Sequence, residues 1–299
     1  MNSMVKTLTI AHDAGGAEMI AAWCKAHPEE GPFLHVASGP AVRAFEKRGL
    51  NVQAPGLDME DQLQGVTRVV AGPGWNSPLE FEFIKTAKRM KIPTVVYLDH
   101  WMNYRLRFGY PRDGWEENLP DEIWVGDEAA LRIAQEEFPG MAISLVPNEH
   151  MHEIRESFSA IQSKVKEESD LVLFLSEPMS EPTTIFGDLQ DVSFDEFGVL
   201  QDLISRVKGS TYRLVVRMHP SESKEKYQSF GVKISDEPEL LTDLARASVI
   251  VGMSTMALAH AAACGKKVWS LWPDVGTSSP PLPVPGIKTV SRAGEIALP

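Results

Sequence analysis

His12 and Asp13 follow an apolar run at residues 7–11 and stand just before Gly15 and Gly16. In a parallel α/β sheet the carboxyl ends of strands form the edge where ligands bind. A histidine and a carboxylate there suit general acid–base chemistry. Two glycines let the backbone turn tightly and let a ligand approach a helix N-terminus. Their adjacency, with no third glycine following, departs from the GxGxxG dinucleotide fingerprint. A structural reading competes: Asp13 caps the helix and His12 is a satisfied turn residue. The residues alone leave both open.

Two further strand ends in the first half carry polar and aromatic residues. Gly72-Pro73-Gly74-Trp75-Asn76-Ser77-Pro78 follows the run at 68–71. Ser77 and Pro78 make a helix start of N-cap and N1 type. Trp75 is a large aromatic on a loop tip, where a sugar or base platform is a plausible use. Asp99-His100-Trp101-Met102-Asn103-Tyr104-Arg105-Leu106-Arg107-Phe108 follows the run at 94–98. Asp99, His100, Asn103, Arg105 and Arg107 set hydrogen-bonding groups among aromatics, a mixture that suits carbohydrate recognition. Either arginine can pair with a carboxylate or a phosphate; a surface loop with ordinary salt bridges is the competing reading. The cluster is read as an acceptor-side site.

The second half repeats the pattern. Ser176-Glu177-Pro178 ends one apolar run, which places Glu177 either in the binding cleft or in a plain turn. Arg217-Met218-His219-Pro220-Ser221 ends the next. A histidine at that edge can donate to a phosphate or protonate a leaving group, since its pKa lies near neutrality. Ser254 and Thr255 follow the run at 249–251 and open a helix, so their hydroxyls bind a phosphate or cap the helix. Gly265-Lys266-Lys267 then leads into a last apolar run.

These residues need strands and helices to hold them. The pattern predicts strands at 7–11, 33–37, 68–71, 94–98, 122–125 and 143–146, with helices at 17–26, 40–48, 78–90 and 128–138. A charged helical stretch at 150–170 reads as a connection. Strands at 171–175, 213–217, 232–234, 249–251 and 267–271 follow, with helices at 194–208, 221–227, 237–245 and 255–264. Apolar runs alternating with helices indicate parallel βαβ units. The expected organisation is an N-terminal Rossmann-like domain over 1–150, a linker helix over 151–169 and a C-terminal Rossmann-like domain over 170–299. The Pro-rich stretch 280–286 reads as a surface loop.

Composition narrows the class. The chain has 299 residues, 43% of them hydrophobic, which supports well-buried cores. A formal charge of −12 argues against general binding to nucleic acid or anionic membranes. No run is long enough to predict a transmembrane helix or a signal core. Cys24 and Cys264 sit in apolar helical contexts and read as buried free thiols, which fits the cytoplasm. No metal-ligand spacing is present, and His150 and His152 lie in a polar segment.

The strand-end His219-Pro220 and the Ser254-Thr255 pair before Gly265-Lys266 resemble the donor-phosphate motifs of the GT-B superfamily of nucleotide-sugar glycosyltransferases. The likeness is closest to bacterial sialyltransferases and polyglycerol-phosphate transferases, with 2-epimerases as relatives. The resemblance implies two Rossmann-like parallel-sheet domains facing a cleft, an α/β fold of GT-B type. It implies a metal-independent, inverting glycosyltransferase of surface polysaccharide or glycoconjugate assembly. Its donor would be a CMP- or UDP-linked sugar, its acceptor a carbohydrate, and it would need no further cofactor. On this analogy His219 contacts the donor phosphate, Ser254 and Thr255 bind phosphate, and Asp13 is the base. Gly15, Gly16, Gly74, Trp75, Asp99, His100, Trp101, Asn103, Arg105 and Glu177 line the substrate.

The chain departs from the pattern at Ala257-Leu258-Ala259-His260-Ala261, where many relatives carry a ribose-binding glutamate; either His260 substitutes or the ribose is held differently. The long helix with which relatives return to the first domain has no counterpart before residue 299. An epimerase or hydrolase of the same superfamily, using Asp99, His100 and Glu177, is the alternative. A non-catalytic glycan- or partner-binding relative is a third.

Overall fold

A computed structural model describes residues 7–74, 76–181, 193–273 and 282–298. The chain divides into two compact units between His150 and Met151.

The first unit is a parallel sheet built from β1 (Thr7–Ala11), β2 (Phe33–Ala37), β3 (Val52–Gln53), β4 (Arg68–Gly72), β5 (Thr94–Tyr97), β6 (Glu122–Val125) and β7 (Ala142–Leu145). Their order is β3-β2-β1-β4-β5-β6-β7. The connections carry α1 (Ala14–Ala26), α2 (Ala41–Glu46), α3 (Met59–Gln62), α4 (Leu79–Arg89) and α5 (Glu128–Glu137). All five residues of β1 are buried, as helices over the sheet require of a central strand. Trp23, Phe45, Tyr97 and Trp124 fill the core beside it.

The second unit begins within α6 (Glu149–Gln162). Its strands are β8 (Glu168–Leu175), β9 (Arg213–Arg217), β10 (Lys233–Ile234), β11 (Ala247–Gly252), β12 (Val268–Leu271) and β13 (Ile287–Val290), all parallel, in the order β10-β9-β8-β11-β12-β13. Its helices are α7 (Glu196–Val207), α8 (Leu240–Arg246) and α9 (Met256–Ala263). Among the described residues no helix is long and apolar enough to cross a membrane.

Strand order reverses between β1 and β4 in the first sheet and between β8 and β11 in the second. Such reversals open a crevice at the strand ends, because successive connections leave in opposite directions. Ala11 pairs with Gly72, and Leu175 with both Gly252 and Arg217. The chain therefore releases His12, Pro73, Ser176, Met253 and Met218 side by side at these two edges.

Four expectations are corrected. The sequence pattern missed β3, whose two residues are too few for a period to show. It also missed β13, because the Pro-rich lead-in masks the four-residue run after Gly286; of that lead-in, 280 and 281 lie outside the described residues. The helix expected at 221–227 is a 3₁₀ segment at Lys224–Phe230. Gly15 and Gly16 stand inside the first turn of α1 rather than before it.

Packing explains the last point. A Cβ on Gly16 would lie 2.5 Å from the carbonyl oxygen of Gly72, and one on Gly72 would lie 2.7 Å from the carbonyl carbon of Gly16. Backbone touches backbone, so α1 seats directly on the end of β4. Glycine is weak within a helix, and here contact outweighs propensity. Gly16→Ala is expected to cost about 3 kcal/mol of unfolding free energy, since neither backbone can yield without shifting the helix. Urea unfolding checks this, and a wild-type midpoint would contradict the contact.

Candidate functional site

At the first reversal, the two residues between β1 and α1 are His12 and Asp13. Asp13 is the N-cap residue of α1, yet its carboxylate makes no capping hydrogen bond. Instead Oδ1 accepts from the His12 Nδ1–H at 2.7 Å, and Oδ2 accepts from the Asn76 side-chain amide at 3.1 Å. The capping reading is thereby set aside for Asp13. A carboxylate on Nδ1–H orients the ring and leaves Nε2 as the basic nitrogen, an arrangement suited to proton transfer. The two side chains are 25% and 16% exposed, so solvent and solutes reach them.

Space for these groups is cut out of neighbouring residues. A Cβ on Gly74 would lie 1.7 Å from Asp13 Oδ2, and one on Gly15 would lie 1.8 Å from Asp99 Oδ2. Gly74 and Gly15 thus make room for the two carboxylates of this edge. Asp99 is held by Arg107, which is 4% exposed on its side chain and donates from Nη1 to Asp99 Oδ1. The same nitrogen donates to the Pro73 carbonyl at 2.9 Å.

Glu80 belongs to this site and escaped the sequence reading. It lies in the first turn of α4, fully buried, and its Oε1 accepts the His12 backbone N–H at 2.6 Å. Its Oε2 is enclosed with no hydrogen-bond partner among the described residues. Burial, with the Asp13 charge adding to it, pushes its pKa up to about 8. A signal was present: Glu80, Phe83, Ile84 and Ala87 fall at i, i+3, i+4 and i+7, which puts an acid on the apolar face of a helix.

The cluster after β5 splits in two. Asp99 and Arg107 turn to the strand edge, whereas Trp101, Asn103 and Arg105 turn toward α5. Trp101 Nε1 donates to both carboxylate oxygens of Asp127, at 3.1 and 2.9 Å. Arg105 Nε donates to the Glu137 backbone carbonyl at 2.8 Å and pairs with its Oε2 at 2.9 Å. These residues, with Tyr104 and Tyr110, line a cavity of about 370 Å³. Asn103 takes a left-handed φ of 59°, and His100 packs edge-on against Trp101. Arg105 and Arg107 are thus both engaged within the protein, Arg107 as a buried side chain rather than on a surface loop. Trp75 lies outside the described residues.

In the second unit, Glu177 leaves β8 and reaches the start of α9. Its carboxylate accepts the Ser254 backbone N–H at 2.9 Å and the Ser254 hydroxyl at 2.9 and 3.0 Å. Thr255 caps α9 through its own side chain. The helix start expected to hold a phosphate therefore already carries an internal carboxylate. Burial raises the pKa of Glu177, and Glu196 and Glu222 add to the rise. His260 lies in the last turn of α9, more than a turn from that start.

His219 sits at the end of β9. Its N–H donates to Glu222 Oε2 at 2.8 Å, and its Nδ1 is 2.7 Å from the Ser221 hydroxyl and accepts the Ser221 N–H at 3.3 Å. An Nδ1 that accepts leaves Nε2–H as the ring's donor in the neutral form. Burial lowers the pKa of His219, which favours that neutral form. Glu222 is braced by Tyr227, by Ser176 and by Lys226, which also binds Glu181 and Glu196. A cavity of about 230 Å³ opens here, lined by Arg217, Met218, His219, Pro220, Ser235 and Glu237 among others.

Two Rossmann-like parallel sheets, each with its strand-order reversal, give the chain the fold of GT-B type. The UDP-GlcNAc 2-epimerase of Methanocaldococcus jannaschii matches with a TM-score of 0.61 at 13% identity, over 95% of this chain and 88% of that one. HepE (Alr3699) of Anabaena, solved in complex with UDP and glucose, matches with 0.61 at 10%, over 97% and 87%. The wall teichoic acid polymerase TagF matches with 0.51 at 10%, over 97% and 77%. At these identities the likeness is one of fold. The sequence matches no family model and no curated protein.

Gly74→Ala is expected to cost about 1–3 kcal/mol, because Asp13 must leave its place beside His12. The urea midpoint reads this, and an unchanged midpoint would show that Asp13 has other room.

Proposed function

We propose that the chain is a glycosyltransferase that uses a nucleotide-activated sugar, with the second unit as donor side and the first as acceptor side. The observation that carries this reading is His219. It stands at the end of β9, one strand away from the strand-order reversal, with burial favouring a neutral ring, a donor Nε2–H and a cavity next to it. A neutral N–H donor can bind a phosphate oxygen without the pH dependence of an imidazolium. The cavity between the ends of β9 and β10 takes the nucleoside, and the backbone between Met253 and Met256 lies next to the phosphates. The fold shared with HepE, whose complex contains UDP, favours uridine over cytidine as the base. The donor phosphate is bound through the His219 Nε2–H, and no further cofactor enters the reading.

In the first unit His12 and Asp13 act together as the base that takes the proton of the acceptor hydroxyl, with Nε2 as the accepting atom. Asp99, held by Arg107, accepts acceptor hydroxyls. Product assembly in surface polysaccharide or glycoconjugate synthesis, within the cytoplasm, follows from this chemistry as part of the same proposal.

A second reading has its own observation. The paired ionisable groups at the first reversal, His12–Asp13 and Asp99, also suit removal of a proton from carbon, as in a sugar-nucleotide epimerase or hydrolase. Incubation of UDP-N-acetylglucosamine without acceptor separates the two. An equilibrium mixture with an epimer, or full conversion to free sugar and UDP, identifies the second reading; slow hydrolysis alone leaves the transferase.

Isothermal titration with UMP, UDP, CMP, CDP, GDP and dTDP tests the donor side. UDP is expected to bind most tightly, and His219→Ala to weaken it about tenfold or more, roughly 1.4 kcal/mol. No binding by any nucleotide at millimolar concentration would overturn the reading.

A further inference from the structure

Glu80 has no part in the proposed reaction, yet its placement is costly, a buried carboxyl with one oxygen unpartnered among the described residues. A helix-start glutamate ordinarily faces water, where the helix dipole stabilises it as an anion. Glu80 instead points into the protein beneath the β1 strand end, with no exposed surface. One oxygen accepts the His12 N–H at 2.6 Å, and the other is enclosed without a partner among the described residues. The amide it binds belongs to the residue whose ring meets Asp13, and Asp13 is tied through Asn76 back to the loop that starts α4. The chain of contacts closes on itself: Glu80, the His12 backbone, the His12 ring, Asp13, Asn76, and the same helix start.

We propose that Glu80 is a positioning residue for the His12–Asp13 pair: by accepting the His12 amide it fixes where the imidazole leaves β1, and its own ionisation is felt by that pair. The proposal rests on the reading of His12 and Asp13 as a proton-transfer pair, but its test needs no substrate. The charged and titratable groups at this edge are His12 and Asp13 after β1, and Asp99 with its partner Arg107 after β5. Burial holds the proton on Glu80, and the charge of Asp13 adds to that hold.

The pH dependence has a definite sign. Below pH 4.5, the ordinary value, folded and unfolded chains both keep the Glu80 proton. Between there and about 8 the unfolded chain has released it and the folded chain has not, so stability falls as pH rises. Above about 8 the folded chain releases it too, and the full loss is in place. A new anion then faces Asp13 across the His12 backbone, and proton transfer through the pair changes on the alkaline side.

The test is proton NMR of the full-length protein without ligand, with the His12 signals assigned by loss in His12→Gln. In wild type the His12 ring signal is expected to show an inflection near pH 8, and the Nδ1 proton a downfield resonance from its bond to Asp13. Glu80→Gln keeps an acceptor for the His12 amide but cannot ionise. It should keep the downfield resonance, lose the inflection near pH 8, and exceed wild type in melting temperature by an amount that grows with pH, from little near pH 5 to roughly 5 °C or more near pH 8. Glu80→Leu removes the acceptor and should lose the downfield resonance while remaining folded. The proposal is overturned if Glu80→Gln retains the inflection, if wild type lacks it, or if a folded Glu80→Leu keeps the downfield resonance. Where the leucine variant does not fold, the glutamine variant decides. Nucleotide binding in the second unit is a separate measurement, so failure of the transferase reading and failure of this one are told apart.

Discussion

The backbone contact between Gly16 and Gly72 governs the first unit. A methyl group on Gly16 would lie 2.5 Å from the opposing carbonyl oxygen, so α1 can sit on the end of β4 only because neither residue bears a side chain. That seating shortens the β1–α1 connection to His12 and Asp13 and holds both at the strand-order reversal. It also sets Gly15 against Asp99, whose carboxylate fills the space a side chain would take. Loosening this contact would therefore release the edge that presents the ionisable groups.

The two units solve the same problem with different chemistry. In the first, voids left by glycine admit carboxylates beside a helix start, and a buried glutamate carries the backbone of the central histidine. In the second, carboxylates act as staples. Glu177 joins the end of β8 to the start of α9, and Glu222 joins β8 to the His219 turn through Ser176 and Tyr227. Lys226 gathers Glu181, Glu196 and Glu222, which keeps that concentration of acids bound. Buried polar networks of this kind specify geometry when every member is paired.

The staple at Ser254 bears on ligand choice. A phosphate arriving at α9 meets the Glu177 carboxylate on the amide it would use, so it binds beside that amide or displaces the acid. His219, with its donor nitrogen and adjoining cavity, is unobstructed by comparison. The donor side is consequently argued from the β9 end more than from the helix start, whereas the sequence motifs weighed the two together.

What the sequence determined by itself is the architecture. Alternating apolar runs and amphipathic helices mark eleven of the thirteen described strands, because burial on both faces writes a continuous apolar run into the chain. The strand ends that carry His12, Asp99, Glu177 and His219 were legible for the same reason. The partners of those residues were decided only by tertiary structure. Glu80 meets His12 across sixty-eight residues and Glu177 meets Ser254 across seventy-seven, separations that no local period encodes. The aromatic cluster after Asp99 looked like one site because its members are neighbours in sequence. Folding sends Asp99 and Arg107 to the sheet edge and Trp101 and Arg105 to α5, since adjacent residues on a turning loop face different surroundings.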